Sequence, residues 1–95
     1  VPVTVILPQV LQADAGGAKH LALERPAGGE PLRAVLDELA RRHPRLDRRV
    51  RDDKGALRRF VNVFVGDEEC RALAGLDTPV PDGAEVRILP SVAGG

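Results

Sequence analysis

The sequence predicts an α+β fold: a mixed sheet of four to five strands with one main helix packed on one face. Three observations carry this. Leu32, Val35, Leu36 and Leu39 recur at i, i+3, i+4 and i+7, which is one face of an amphipathic helix. Residues 60–65, FVNVFV, form an apolar, β-rich run of strand length. Further strand-like segments stand on both sides of the helix, at residues 3–7, 19–24 and 84–89. Runs of strands around a single helix favour a sheet covered on one face over alternating βαβ units.

Taken in order, residues 3–7 (VTVIL) are rich in β-branched side chains and stop at Pro8. Asp14, Ala15, Gly16 and Gly17 are turn chemistry, because glycine reaches positive φ without steric cost. Leu21 and Leu23 then share one face of a second strand, so the first two strands predict a hairpin with a long, loose loop. Gly28 and Gly29 break the chain again, and Pro31 fits the first turn of the helix. Arg41, Arg42 and His43 suit its last turn, where cations meet the negative end of the helix dipole. Pro44 limits it, since the residue before a proline avoids helical angles.

Residues 46–57 read as charged and irregular, with one short helical turn around Val50. The apolar continuity of residues 60–65 predicts a strand buried on much of both faces. Residues 66–69 make a turn, residues 70–73 a short return strand, and residues 76–81 a loop. The Pro81-Asp82-Gly83 turn leads into the last strand, with Val86 and Ile88 on one side. Pro90 cannot donate to a ladder, so pairing is expected to stop near it. The chain then divides into a domain over residues 1–89 and a flexible tail over residues 90–95 that ends in Gly94-Gly95. This element order is that of the β-grasp, or ubiquitin-like, fold.

Composition narrows the function classes. The chain has 95 residues, enough for one domain with a modest core. Only Phe60 and Phe64 are aromatic, so the core must be built from Val, Leu, Ile and Ala. Formal net charge is zero, which provides no global field toward nucleic acid or an anionic membrane. The single cysteine, Cys70, allows no internal disulfide and suits a reducing, cytoplasmic location. No apolar run is long enough to span a bilayer, and the N-terminus lacks a signal-peptide pattern. Neither nucleic acid nor membrane is expected as a partner.

The end of the chain carries a resemblance. Residues 81–90 (PDGAEVRILP) followed by Val92, Ala93, Gly94 and Gly95 resemble the closing segment of the ThiS/MoaD family of ubiquitin-like sulfur carriers. Residues 60–63 (FVNV) and 66–69 (GDEE) are similar to the family's central strand and turn. Within the family the chain looks closest to the CysO-like carriers. Gly66 stands where those relatives are expected to have Asn, and both residues accept positive φ.

The resemblance implies a chemistry. An E1-like adenylating/sulfurtransferase partner uses ATP to adenylate the Gly95 carboxylate, and a sulfide equivalent displaces AMP to leave a thiocarboxylate. Val92, Ala93 and Gly94 would thread the partner's active site, where residues without Cβ allow close backbone approach. A sulfur-accepting synthase then takes the sulfur for cysteine, a thiosugar or a related thio-metabolite. Where Gly95 must first be exposed by cleavage, a C-terminal processing metalloprotease joins the partners. The chain itself is a protein co-substrate with no bound cofactor and no catalytic residues. Two rivals stay open: a ubiquitin-like modifier conjugated through Gly95, and a non-catalytic β-grasp interaction domain.

Other candidates are weaker. Cys70 follows Asp67, Glu68 and Glu69, which raise a thiol's pKa, so it reads as a small apolar strand residue. His20 and His43 lack Cys or His neighbours at ligand spacing and read as surface residues; no metal is expected. The glycine pairs at 16–17 and 28–29 match no phosphate loop. The arginines between Arg41 and Arg59 alternate with Asp47, Asp52 and Asp53, which favours a solvated mixed-charge surface over a docking patch. The docking face is expected on the sheet side opposite the helix, near the last strand. No constellation of base, nucleophile and orienting group is present.

Overall fold

The computed structural model describes residues 1–90. Strand β1 (Pro2–Ile6) is joined to β2 (His20–Glu24) by a short helix α1 (Gln9–Gln12) and a 3₁₀ turn (Ala13–Ala15). A two-residue strand β3 (Glu30–Pro31) leads directly into the main helix α2 (Leu32–Arg42), followed by α3 (Pro44–Val50). Strands β4 (Val61–Val65) and β5 (Glu68–Glu69) form a tight hairpin. After 3₁₀ turns at Cys70–Ala72 and Gly75–Asp77 come β6 (Pro79–Val80) and the last strand β7 (Glu85–Pro90).

Five strands form the sheet, in the order β2-β1-β7-β4-β5, while β3 and β6 pair separately. Strands β1 and β7 run parallel and every other pair is antiparallel. A parallel pair needs a crossover, and here nearly the whole intervening chain provides it, carrying α2 across one face. This is the mixed sheet with one main helix that the element order predicts.

Helix α2 buries the expected stripe of Leu32, Val35, Leu36 and Leu39. It meets Val3, Val5, Leu23, Val63, Val86 and Ile88 from the sheet in one core. Burying a leucine such as Leu36 stabilises the fold by roughly 1.5–3 kcal/mol. Phe60 is exposed and Phe64 half-buried, so the buried core contains no aromatic ring and is aliphatic apart from Cys70. Without large rings, a domain this small fills its core by recruiting extra elements. Leu11 and Ala15 come from the β1–β2 connection, Leu46 and Val50 from α3, and Val80 from β6.

Several sequence expectations are corrected. The β1–β2 connection is not loose, because α1 packs Leu11 into the core. Pro31 sits just before α2 in extended geometry, where it pairs with Pro79. Pro44 limits α2 as expected, but the stretch after it is more regular than the single turn around Val50. Pro44 stands at the first position of α3, where its missing N–H costs nothing, and α3 buries Leu46 and Val50 one turn apart. Strand β4 alternates rather than burying both faces: Val61 and Val63 are buried, and Asn62 and Phe64 are half-covered. The segment expected as a return strand at residues 70–73 begins with a 3₁₀ turn, Cys70–Ala72, and the return strand is Glu68–Glu69. The loop expected at residues 76–81 contains β6.

Candidate functional site

The last strand lies between β1 and β4, so β7 is a central strand of the sheet. Residues paired across strands share a face. On the face away from α2, one row runs His20, Ile6, Arg87, Phe64 and Glu69 across all five strands. The neighbouring row pairs Asn62 with Leu89. Ile6, Phe64 and Leu89 are half-buried and Arg87 is exposed, which makes an apolar strip with a cation set in it. This is the side where a docking face is expected, and the register supplies its residues. Sequence alone did not identify them. The signal was the odd–even phase of residues 61–65, which becomes readable once Val61 and Val63 are known to be buried.

The β4–β7 ladder runs from Val65–Val86 at one end to Val61–Pro90 at the other. The Gly66 N–H donates to the Glu85 carbonyl at 2.9 Å, which fixes the phase of the ladder. In that phase Val61 and Pro90 are a non-hydrogen-bonded pair, so the N–H that proline lacks would not have served β4. Pairing therefore reaches Pro90, the residue near which it is expected to stop. The outward groups of Val61 are satisfied elsewhere. Its N–H donates to the Arg58 carbonyl at 3.1 Å. Its carbonyl accepts from Arg71 Nη1 at 2.7 Å, while Arg71 Nη2 donates to the Arg58 carbonyl at 2.7 Å. Arg71 thus secures the strand start opposite the end of β7. The expected site residues Val92, Ala93, Gly94 and Gly95 lie outside the described residues.

The other candidates find structural explanations. Cys70 is fully buried, and burial together with a hydrogen bond to the Glu69 carboxylate pushes its thiol up to about 11. Such a thiol is a poor nucleophile. His20 is exposed and His43 partly covered. No cluster of three or more His, Cys, Asp or Glu side chains among the described residues could hold a metal ion. The Gly28 and Gly29 N–H groups cradle an anion from the same chain, the Asp82 carboxylate, at 3.0 and 3.1 Å. That bond docks the turn before β7 onto the loop before α2. An open groove of about 940 Å³ lies beside Val65, Leu73, Val80 and Pro81, at the end of the ladder away from Pro90.

One expectation about the arginine-rich segment fails at Arg51. The Arg51 side chain is only 8% exposed and lies between Asp47 and Asp37, so it is not part of a solvated surface.

The sequence profile of the ThiS family matches residues 12–95. The chain belongs to the ThiS family. It is 41% identical to the sulfur carrier protein CysO of Mycobacterium tuberculosis over 95 residues, covering 98% of each chain. The crystal structure of the BexX/CysO complex of Amycolatopsis orientalis contains a chain with 38% identity and a TM-score of 0.82, covering 98% of this chain and 99% of that one. Small archaeal modifier protein 1 of Haloferax volcanii superposes with a TM-score of 0.81 at 27% identity, covering 97% of this chain and 99% of that one. This ThiS-family chain is therefore CysO-like across its length, with the β-grasp architecture the element order predicts. No helix among the described residues is long and apolar enough to cross a membrane.

Proposed function

We propose that this chain is a sulfur carrier whose working group is the Gly95 carboxylate. The observation that carries this is the full-length match to CysO together with a family profile that extends through Gly94 and Gly95. An E1-like partner transfers AMP from ATP to the carboxylate, releasing pyrophosphate. A sulfide equivalent attacks the acyl carbon and AMP leaves, giving a thiocarboxylate. The chain acts as co-substrate while its partners supply the catalysis. The BexX/CysO complex supports a mode of action in which the carrier is held by a partner enzyme.

The fold suits this task. β7 is held by β1 over residues 85–87 and by β4 as far as Pro90, so the strand that leads into the tail is anchored in the sheet. Five residues follow Pro90, a contour of roughly 17 Å when extended. That length would carry Gly95 into a recessed nucleotide site while the folded body stays outside. Cysteine biosynthesis is the destination favoured by the CysO match; a thiosugar synthase is the other sulfur acceptor. A cytoplasmic setting follows from the need for ATP and a reduced sulfur source.

Intact-protein mass spectrometry after incubation with an E1-like enzyme, ATP and sulfide tests the reading. The expected change is the exchange of one oxygen for one sulfur, abolished by deletion of Gly95. An unchanged mass with the cognate enzyme, shown active on another carrier, overturns it.

The likeness to small archaeal modifier protein 1 favours a second reading, conjugation through Gly95 to lysines of other proteins. Isopeptide adducts distinguish it from release of a small thiolated product.

A further inference from the structure

Zero net charge conceals a strong segregation. Residues 41–59 contain nine Lys or Arg against three Asp, while the rest of the chain has five basic and eleven acidic residues. Helix α3 and the segment leading to β4 therefore carry a concentrated positive surface, balanced by negative charge elsewhere. Among the described residues, no carboxylate lies within salt-bridge distance of Arg45, Arg48, Arg58 or Arg59, all of which are exposed.

Hydrogen bonds connect this surface to the base of the tail. Arg58 Nε donates to the Arg48 carbonyl at 2.7 Å, which holds the segment against α3. The Arg58 carbonyl accepts from the Val61 N–H at 3.1 Å, and Val61 pairs with Pro90. Between them stands Phe60, 56% exposed, with the Arg59 guanidinium 5.6 Å from its ring centroid. A cation–aromatic pair in the open adds little to folding but offers both a charge and an apolar face to a partner.

We propose that Arg45, Arg48, Arg59 and Phe60 form a docking surface for an acidic face of the enzyme that receives the tail. This rests on the carrier reading above. Charge complementarity decides the occupant. A partner that takes in residues beyond Pro90 must approach Val61, and the first surface it meets there is positive with one exposed ring. An extended polyanion such as nucleic acid, or an anionic bilayer, would also meet the acidic remainder of the chain, which repels it. Rim charges of this kind act on encounter rate and salt dependence more than on chemistry.

The test uses the full chain and its cognate adenylating enzyme. Three forms are compared: unaltered, Arg45→Glu/Arg48→Glu/Arg59→Glu, and the corresponding triple Arg→Lys variant. Binding is measured by fluorescence anisotropy without ATP across a NaCl series, and adenylation is followed by steady-state kinetics. The expected result is a rise in Kd and KM on the order of tenfold or more for the Glu variant, with kcat unchanged and the salt dependence flattened. The Lys variant should stay near the unaltered chain. Circular dichroism melts confirm that both variants fold.

Unchanged Kd and salt dependence in the folded Glu variant overturn the docking surface, even if the unaltered chain is thiocarboxylated. Absence of binding at low salt overturns it as well. Binding through the patch without any adenylation sinks the carrier reading and leaves the docking surface standing. Tight, arginine-dependent binding to a single-stranded oligonucleotide or to phosphatidylserine vesicles, with none to the enzyme, replaces the proposal with that partner.

Discussion

Arg51 Nη1 lies 2.8 Å from Asp37 Oδ1, and this bond joins the end of α3 to the middle of α2. The same guanidinium donates through Nε to Asp47 at 2.7 Å. Arg51 is thus shared by two carboxylates while its side chain is almost fully covered. Desolvation opposes its charge, and the two carboxylates more than offset that, raising its pKa.

Replacing Arg51 by Ala leaves Asp47 partly covered without its partner. The expected loss is about 2 kcal/mol of unfolding free energy, the scale of a hydrogen bond to a charged group. Arg51→Lys should recover only part of this, because an ammonium cannot present the guanidinium's fork to both acids. Urea denaturation of the three proteins measures the series.

Cys70 should resist alkylation in the native state and react once the chain unfolds. Its folded-state pKa is raised from 9.0 to about 11, so above pH 9 the unfolded state loses the thiol proton first. Stability is expected to fall as pH rises from about 9 toward 11, and Cys70→Ala should remove that part of the pH dependence. Iodoacetamide labelling with and without urea, together with melts over this window, provides the check.

Glu38 gives the opposite slope. Hydrogen bonds from Arg41, then Arg42, lower its pKa from 4.5 to about 2. Its contribution is complete above pH 4.5 and is lost as pH falls toward 2. Glu38→Gln should therefore flatten acid unfolding in that range, as followed by circular dichroism.

Gly29→Ala should be more damaging than Gly17→Ala. Both positions have positive φ, but a Cβ at Gly29 would lie 3.2 Å from the Val80 carbonyl, while one at Gly17 meets nothing within 4 Å. Gly29→Ala is expected to cost about 1–3 kcal/mol from backbone strain, with the contact added. The difference in Tm between the two variants isolates that contact.

Phe64→Ala removes the ring beside Arg87 in the middle of the open sheet face. Thiocarboxylation by the activating enzyme should show a KM raised several-fold with little change in kcat, since the Gly95 carboxylate is untouched. Initial rates across carrier concentrations separate the two parameters.

Most of the architecture was legible because its signals are local. The spacing of Leu32, Val35, Leu36 and Leu39 selects a helix face without reference to any neighbour. The strands around it, the turn at Gly66 and the family signature ending at Gly95 are likewise written in short stretches of chain. The elements misread were those whose form depends on distant partners. Pro44 starts a helix whose Leu46 and Val50 are buried in the core against segments distant in the chain. Pro31 is extended because Pro79 pairs with it from the far end of the chain.

The sequence by itself determined the fold class, the helix face and the family, because periodicity and the closing motif need no long-range information. Only the tertiary structure decided which residues share a surface. It placed Arg87 between Ile6 and Phe64, drew Arg51 out of an apparently solvated arginine run, and set Phe60 and Arg59 beside the end of β7. Strand register and helix docking create those neighbours, and both are set by packing between segments far apart in the chain.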